Sequence, residues 1–365
     1  MTVVAAVDCG TNSIRLLVAE EATPPAGGTD AAGRAEGSAG RAAAPAGRAA
    51  APAGRAAAPA GRAAAPAGRA CRDHLRLRDL HREMRVVRLG QGVDATGQFA
   101  DEAIERTRVA LSDYVDVMRS LGVERVRMVA TSATRDARNR DVFFAMTAEL
   151  LGCVVEGAQA EVITGDEEAR LSFRGAVGEL DPAEGPFVVT DLGGGSTEVV
   201  LGGAEGVSAA YSADVGCVRT TERALHSDPP TADEVRDATQ FIHDRLAVAF
   251  DAVPVERAHT WVGVAGTLTT IAAVNAGMDV YDSDAIHLSR IGINDLDRVC
   301  HDLVAMTRDA RAALGPMHPG RVDVIGGGAL VTLELARVLS ERAGISELVV
   351  SEHDILDGIA LGLLD

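Results

Sequence analysis

Two acidic segments rich in glycine and hydroxyls stand 183 positions apart in this chain of 365 residues. The first is Asp8-Cys9-Gly10-Thr11-Asn12-Ser13. The second is Asp191-Leu192-Gly193-Gly194-Gly195-Ser196-Thr197-Glu198. Glycine lets a backbone approach an anion closely, and a nest of amides binds phosphate oxygens. The hydroxyls of Thr11, Ser13, Ser196 and Thr197 and the amide side chain of Asn12 add polar groups to such a site. A leading aspartate repels phosphate, but it suits a divalent cation that phosphate also touches. One such turn is a weak signal. Two with matched flanks suggest two lobes facing one phosphate chain across a cleft.

Other segments carry chemistry of their own. Asp166, Glu167 and Glu168 open a helix, where the dipole favours anions. One of the two glutamates can face the cleft and take a proton from water. Thr131-Ser132-Ala133-Thr134-Arg135 follows a strand, a common ligand position in α/β sheets, and Arg135 suits a bidentate grip on phosphate. Val262 to Thr270 contains a third small-residue turn, open to phosphate, to a base, or to tight helix packing. Gly326-Gly327-Gly328 reads as an interruption in a packed helix.

Every basic residue is arginine, since the chain has no lysine. P-loop and Schiff-base lysine chemistries are thereby excluded. The net charge of −18 and an aromatic content of 3% argue against a nucleic-acid partner. Five cysteines without CxxC spacing, and nine histidines without ligand spacing, suggest neither a disulfide framework nor a zinc site. The first residues read as a strand and not a signal peptide. No apolar run is long enough to span a membrane, so the expectation is a cytoplasmic protein.

These residues need elements to hold them. The apolar runs Val3–Val7 and Phe187–Thr190 enter the two turns, and Ile14–Val18 and Val199–Leu201 leave them, so each turn reads as a hairpin tip. Residues 40–67 repeat Gly-Arg-Ala-Ala-Ala-Pro-Ala four times. Proline in every period breaks helices, and few bulky apolar groups are available, so residues 21–73 read as a disordered insertion. Beyond it, strands are expected at Met84–Leu89, Val123–Ala130, near Val154, at Val207–Tyr211, at Thr260–Val264 and at Leu348–Val350. Helices are expected at Asp101–Leu121, with Ile104, Ala110, Leu111, Val115 and Met118 inward, and from Thr131 through Leu151. Further helices are expected at Gly165–Val177, from Val218, at Asp233–Phe250, from Thr267 and at Ile355–Leu363. Strands interleaved with helices in a twice-repeated order predict two related α/β halves. The expected division is 1–156 and 157–352, with 353–365 open to packing back on the first.

In order along the chain, Val7 to Arg15, Ala130 to Arg135, Ile163 to Leu171, Asp191 to Glu198, Gly216 to Arg219 and Ala265-Gly266-Thr267 resemble the motifs of the exopolyphosphatase/guanosine pentaphosphate phosphatase family. The resemblance covers nearly everything outside the repeat. It implies an α/β fold of two ribonuclease H-like lobes, of the acetate and sugar kinase/Hsc70/actin superfamily. It places the catalytic base on Glu168 and a second functional carboxylate on Glu198. Asp8, Asp191 and Glu198 then lie at the divalent metal, Mg²⁺. Gly10, Thr11, Asn12, Ser13, Gly193, Gly194, Gly195, Ser196 and Thr197 fall on phosphate-binding loops, and Arg135 on a phosphate contact. The chain resembles the short, two-domain branch, without the C-terminal helical extension of longer members, so shorter polymers are expected. The resemblance also implies a homodimer. The expected activity is release of terminal phosphate from inorganic polyphosphate, with guanosine pentaphosphate as the alternative substrate. A non-catalytic alarmone or nucleotide sensor and a sugar or acetate kinase are the readings of other classes. The two retained glutamates speak against the sensor.

Overall fold

The computed structural model describes residues 2–22 and 77–365. The repeat at residues 40–67, and the expectation placed on it, lie outside them. The first apolar run forms β1 (Val3–Cys9), and β2 (Ser13–Glu21) folds back on it antiparallel, so the strand continues to Glu21. On the far edge of β2 lies β3 (Leu77–Val86), while β4 (Arg125–Ala130) runs parallel to β1 and carries β5 (Ala160–Val162). The order is β3-β2-β1-β4-β5. A second sheet repeats it. There β6 (Phe187–Leu192) and β7 (Thr197–Gly203) make the hairpin, β8 (Gly206–Ala213) edges β7, and β9 (Thr260–Val264) runs parallel to β6. Two further strands, β10 (Ser289–Gly292) and β11 (Glu347–Val350), complete the order β10-β11-β9-β6-β7-β8. The register repeats in detail. The ladder slips at Val18/Ala19 in one sheet and at Leu201/Gly202 in the other, each ten residues past its hairpin aspartate. A slip of this kind bends and twists a strand, so both hairpins are bent at the same place.

The central strands read as continuous apolar runs because helices cover both faces of each sheet. Helices Asp101–Ser120 and Arg140–Leu151 pack on one face of the first sheet, around Leu111, Tyr114, Met118 and Phe143. The terminal helix Ile355–Leu364 covers the other face through Ile355, Leu356 and Ile359 against Val4, Ala6 and Leu17. In the second sheet, helix Gly165–Val177 packs Ala169 and Phe173 on Val189, Val200 and Val262, and a larger helical layer around Trp261 closes the opposite face. Helices Gly165–Val177 and Ile355–Leu364 cross each other. A side chain on Gly175 would overlap the carbonyl of Asp354, and one on Gly358 the carbonyl of Leu171, so glycine sets the crossing distance. These two helices carry Glu168 and Asp354 to the end of the sheets where the hairpins turn.

Several boundaries differ from the sequence expectation. The strand expected at Met84–Leu89 is Leu77–Val86, because Val87 and Arg88 bend to donate to Asn12 O of the first tip. The helix expected through Leu151 is broken at Ala137, where Asn139 exchanges hydrogen bonds with the backbone of Phe99 at 2.8 and 3.0 Å. Val154 lies in a turn, and β10 carries too little apolar pattern to be seen. Gly326 to Gly328 do not interrupt a helix. They open helix Ile325–Ala343, where side chains would strike Arg311, Thr221 and Thr267.

Candidate functional site

The two hairpin tips are built alike. Gly10 N donates to Ser13 O at 3.0 Å, and Gly193 N to Ser196 O at 3.0 Å. Their outward carbonyls are capped by other segments. Gly90 N donates to Thr11 O at 2.8 Å and Arg88 N to Asn12 O at 2.8 Å. Cys217 N donates to Gly193 O at 3.0 Å, and Val218 N to Gly194 O at 2.9 Å. With the carbonyls engaged behind, the tips turn amides and hydroxyls forward. The tips meet: a side chain on Gly195 would lie 2.7 Å from both Thr11 Oγ1 and Ser132 Oγ. Between them runs a narrow cleft lined by Gly10 to Ser13, Gly193 to Ser196, Asp8, Asp191 and Glu168. Helices Cys217–Ala224, Ala265–Asn275 and Ile325–Ala343 present their first residues to the same cleft, which adds three positive dipole ends. Ala265 holds φ 73°, a left-handed conformation that costs an alanine energy and tends to persist at ligand sites.

Four buried carboxylates gather near the tips. Burial pushes Glu168 well above the usual carboxylate range, to about 7, with Asp191 and Asp8 adding to the rise and Arg135 opposing it. Asp191 is pushed to about 6, again by burial first and then by Asp354, while a hydrogen bond of 2.5 Å from Ser172 Oγ opposes. Burial also raises Asp8 and Glu198. Arg15 donates Nε and Nη2 to Asp8 Oδ2 at 3.0 and 2.7 Å and pairs with Asp354 through Nη1. Those acids, with Asp191, outweigh its burial and hold its pKa above the ordinary value. Arg321 also reaches the cleft, lying across Gly266 and donating to Thr270 Oγ1 at 2.7 Å.

The structure therefore brings together Asp8, Asp191, Glu168 and most of both glycine tips. Three expected residues sit elsewhere. Arg135 does not line the cleft; its Nη1 donates to Glu168 Oε2 at 2.7 Å and to Ile163 O at 3.1 Å. Thr197 is fully buried and donates to Val215 O at 2.6 Å, so its hydroxyl locks the hairpin and does not face the cleft. Glu198 is 1% exposed and accepts from Ser212 Oγ at 2.6 Å; it does not line the cleft, though it lies near enough to Glu168 and Asp191 for their charges to add to its raised pKa. Nor do Asp8, Asp191 and Glu198 form a closed metal cage. Among the described residues, the one trio whose ligand atoms gather within 4.8 Å is Glu179, His287 and His353, none of which lines the cleft. There His287 Nδ1 accepts from Glu352 N at 3.2 Å, which leaves the ring proton on Nε2, facing Glu179 at 3.1 Å. Of the other cleft residues, Arg321 lies outside every segment singled out from the sequence, whereas Arg15, Thr131, Cys217 and Thr267 lie within such segments without a role of their own. Arg15 was within reach, since it faces Asp8 across the β1–β2 ladder.

Behind Arg15 and Arg321 the cleft opens into a second compartment of about 480 Å³. Its walls include Met84, Val280, Tyr281, Met317 and Glu352. Most of its charge is internally balanced. Arg82 is held by Asp357 and Asp79, and Tyr281 OH donates to Glu352 at 2.5 Å.

The duplicated sheets, with paired hairpin tips over a cleft, define an α/β protein of two related halves. Comparison with known proteins narrows this. Residues 70–362 match the model of the Ppx/GppA phosphatase family. Exopolyphosphatase 2 of Mycobacterium tuberculosis is 57% identical over 363 residues, which cover 100% of this chain and 99% of the relative. A guanosine-5'-triphosphate,3'-diphosphate pyrophosphatase of Photobacterium profundum is 30% identical over 53% of this chain and 38% of its own length. Among solved structures, an exopolyphosphatase-like protein superposes with a TM-score of 0.80 at 35% identity, over 99% of this chain and 98% of its own. The Aquifex aeolicus PPX-GPPA enzyme gives 0.68 at 26% identity, over 99% of both chains. The chain belongs to the Ppx/GppA phosphatase family, and is a hydrolase of phosphoanhydride bonds.

Proposed function

We propose that this enzyme releases the terminal phosphate of inorganic polyphosphate, with short chains preferred and a divalent cation, Mg²⁺, required. The observation that carries the reading is the meeting of two glycine tips over a cleft into which Glu168 projects. The amides and hydroxyls of Gly10 to Ser13 and Gly193 to Ser196 hold the oxygens of the terminal phosphate. Glu168 accepts a proton from the attacking water. The new P–O bond forms as the bridging P–O bond breaks, and the shortened chain leaves as an oxyanion toward Arg15 and Arg321. Because little covalent chemistry falls to the protein, positioning and charge stabilisation supply most of the rate.

The donor set fits a hard dication. Asp8 and Asp191 are buried carboxylates on the cleft wall, burial disfavours their charge, and Mg²⁺ commonly takes one or two carboxylates together with substrate phosphate. Asp8 and Asp191 would hold it, with Glu198 behind them adding negative charge. When bound, it neutralises charge on the phosphoryl oxygens. Arg135 acts here on Glu168 and through it on the water. Phosphate release from polyphosphate, measured with Mg²⁺ and with excess chelator, tests the reading. Absence of release from the folded protein in Mg²⁺ would overturn it.

One observation favours a second substrate. The 480 Å³ compartment is walled largely by apolar side chains and balanced charge, which suits a nucleoside better than a polyanion. A guanosine pentaphosphate would seat its triphosphate on the tips and its base beside Tyr281 and Glu352, whose carboxylate complements the N–H edge of guanine. Comparison of kcat/KM on the two substrates decides between them, and Glu352→Gln should impair only the nucleotide. Among the described residues no helix is long and apolar enough to cross a membrane. A cytoplasmic homodimer remains our expectation, to be checked by light scattering and cell fractionation.

A further inference from the structure

Helix Cys217–Ala224 holds the second tip by its backbone and the opposite half by its side chains. Its first amides cap Gly193 O and Gly194 O, with Arg219 N 3.1 Å from Gly194 O. Its residues 219, 222 and 223 share one face. From that face Arg219 donates to Asp136 Oδ2 at 2.5 Å and reaches Asp94 Oδ1 at 3.2 Å. Glu222 accepts from Gly92 N at 3.2 Å, and Arg223 lies 3.5 Å from Asp94. All three partners belong to the first half and flank its tip. Gly92 and Asp94 follow Gly90, which caps Thr11 O. Asp136 ends the short helix Ser132–Asp136, which also carries Ser132 and Arg135.

We propose that Arg219 is a positioning residue that sets the gap between the two phosphate-holding tips. It does not line the cleft, is 15% exposed at its side chain, and its guanidinium also donates to Ser132 Oγ, beside the contact between the tips, at 3.5 Å. It joins the two capping segments, one for each tip, through a pair of carboxylates on different helices. The gap it fixes is small: the tips approach so closely at Gly195 that Thr11 and Ser132 leave no room for a methyl group. A guanidinium held by two fixed carboxylates suits this work because its fork is planar and its donors are rigidly spaced. An ammonium at this position would keep the charge and lose the fork.

The test pairs a distance with kinetics. Fluorophores placed by non-cysteine chemistry at Val109 and Val248, exposed positions in different halves, report separation of the halves in full-length protein without substrate. Arg219→Glu should lengthen or broaden that distance and lower kcat/KM on polyphosphate by about 10²-fold, the scale of loss from an ångström of misplacement. Adding Asp136→Arg should recover part of both. If Arg219→Glu does not fold, Arg219→Gln is read in the same way, with a smaller opening expected. Unchanged distance and kinetics in a folded variant, or no recovery in the charge-swapped pair, would overturn the proposal. The distance arm does not depend on the substrate, so it stands or falls apart from the proposed activity. Only the kinetic arm rests on that reading.

Discussion

Arg135 donates to Glu168 across 2.7 Å, and its second bond, to Ile163 O, anchors it to the start of the segment that carries Glu168. One cation thus meets a carboxylate that is 7% exposed and surrounded by other acids. Without a partner, burial alone would keep such a carboxylate protonated near neutral pH. With it, Glu168 sits near 7, the range in which a general base works best.

Replacing Glu168 by glutamine removes the proton acceptor and leaves the shape. Expected is a fall in kcat of about 10²-fold or more, the usual worth of a general base, with KM little changed. Phosphate release under saturating substrate measures it. A variant with parental kcat would remove Glu168 from the mechanism.

Replacing Arg135 by methionine takes away the charge that holds Glu168 down. The acid limb of kcat/KM, which belongs to Glu168 and Asp191 as an interacting set, should then move to higher pH. A phosphate contact made directly by Arg135 would instead raise KM at every pH. The two outcomes separate a role beside the base from a role on the substrate.

Stability should follow pH with a definite sign. The folded pKa of Glu168, about 7, lies above its ordinary value of 4.5. Its contribution is therefore fully present below pH 4.5 and lost as pH rises through 7. Glu168→Gln, neutral throughout, should match the parent in Tm near pH 5 and exceed it near pH 8. Equal differences at both pH values would contradict the buried, acid-crowded setting of this carboxylate.

Gly195→Ala tests the contact between the tips. The added methyl would press on Thr11 and Ser132 at 2.7 Å, closer than side-chain carbons pack. Overall stability should fall modestly, by about 1–3 kcal/mol for an overpacked site, while kcat/KM falls by about 10²-fold. Denaturant unfolding beside kinetics checks both.

Much of this site was legible in the sequence because its signals are local. The tips are written in adjacent residues: an apolar run, an aspartate, glycines and hydroxyls, then a second run. Helix Gly165–Val177 was legible for the same reason, as Thr164 caps it by accepting from Glu167 N at 3.2 Å and acids fill its first turn. What escaped depends on tertiary placement. Arg15 and Arg321 are 306 residues apart, and nothing in the flanks of Arg321 marks it as a neighbour of the first tip. Thr197 and Glu198 look like continuations of the loop, yet they open β7, whose alternation sends them to opposite faces of the sheet, where Thr197 meets Val215 O and Glu198 meets Ser212. The hydroxyls around Arg135 suggested phosphate, whereas the pairing of β4 with β5 delivers Ile163 and Glu168 to its guanidinium.

The two ladders pair Asp8 with Arg15 and Asp191 with Glu198. At the same station of a copied scaffold, one copy carries a cation and the other an anion. That single difference parts the two copies: Arg15 lines the cleft and ties Asp8 to Asp354, whereas Glu198 is shut away against Ser212 with burial opposing its charge, so the duplicated tips offer a ligand two unlike floors.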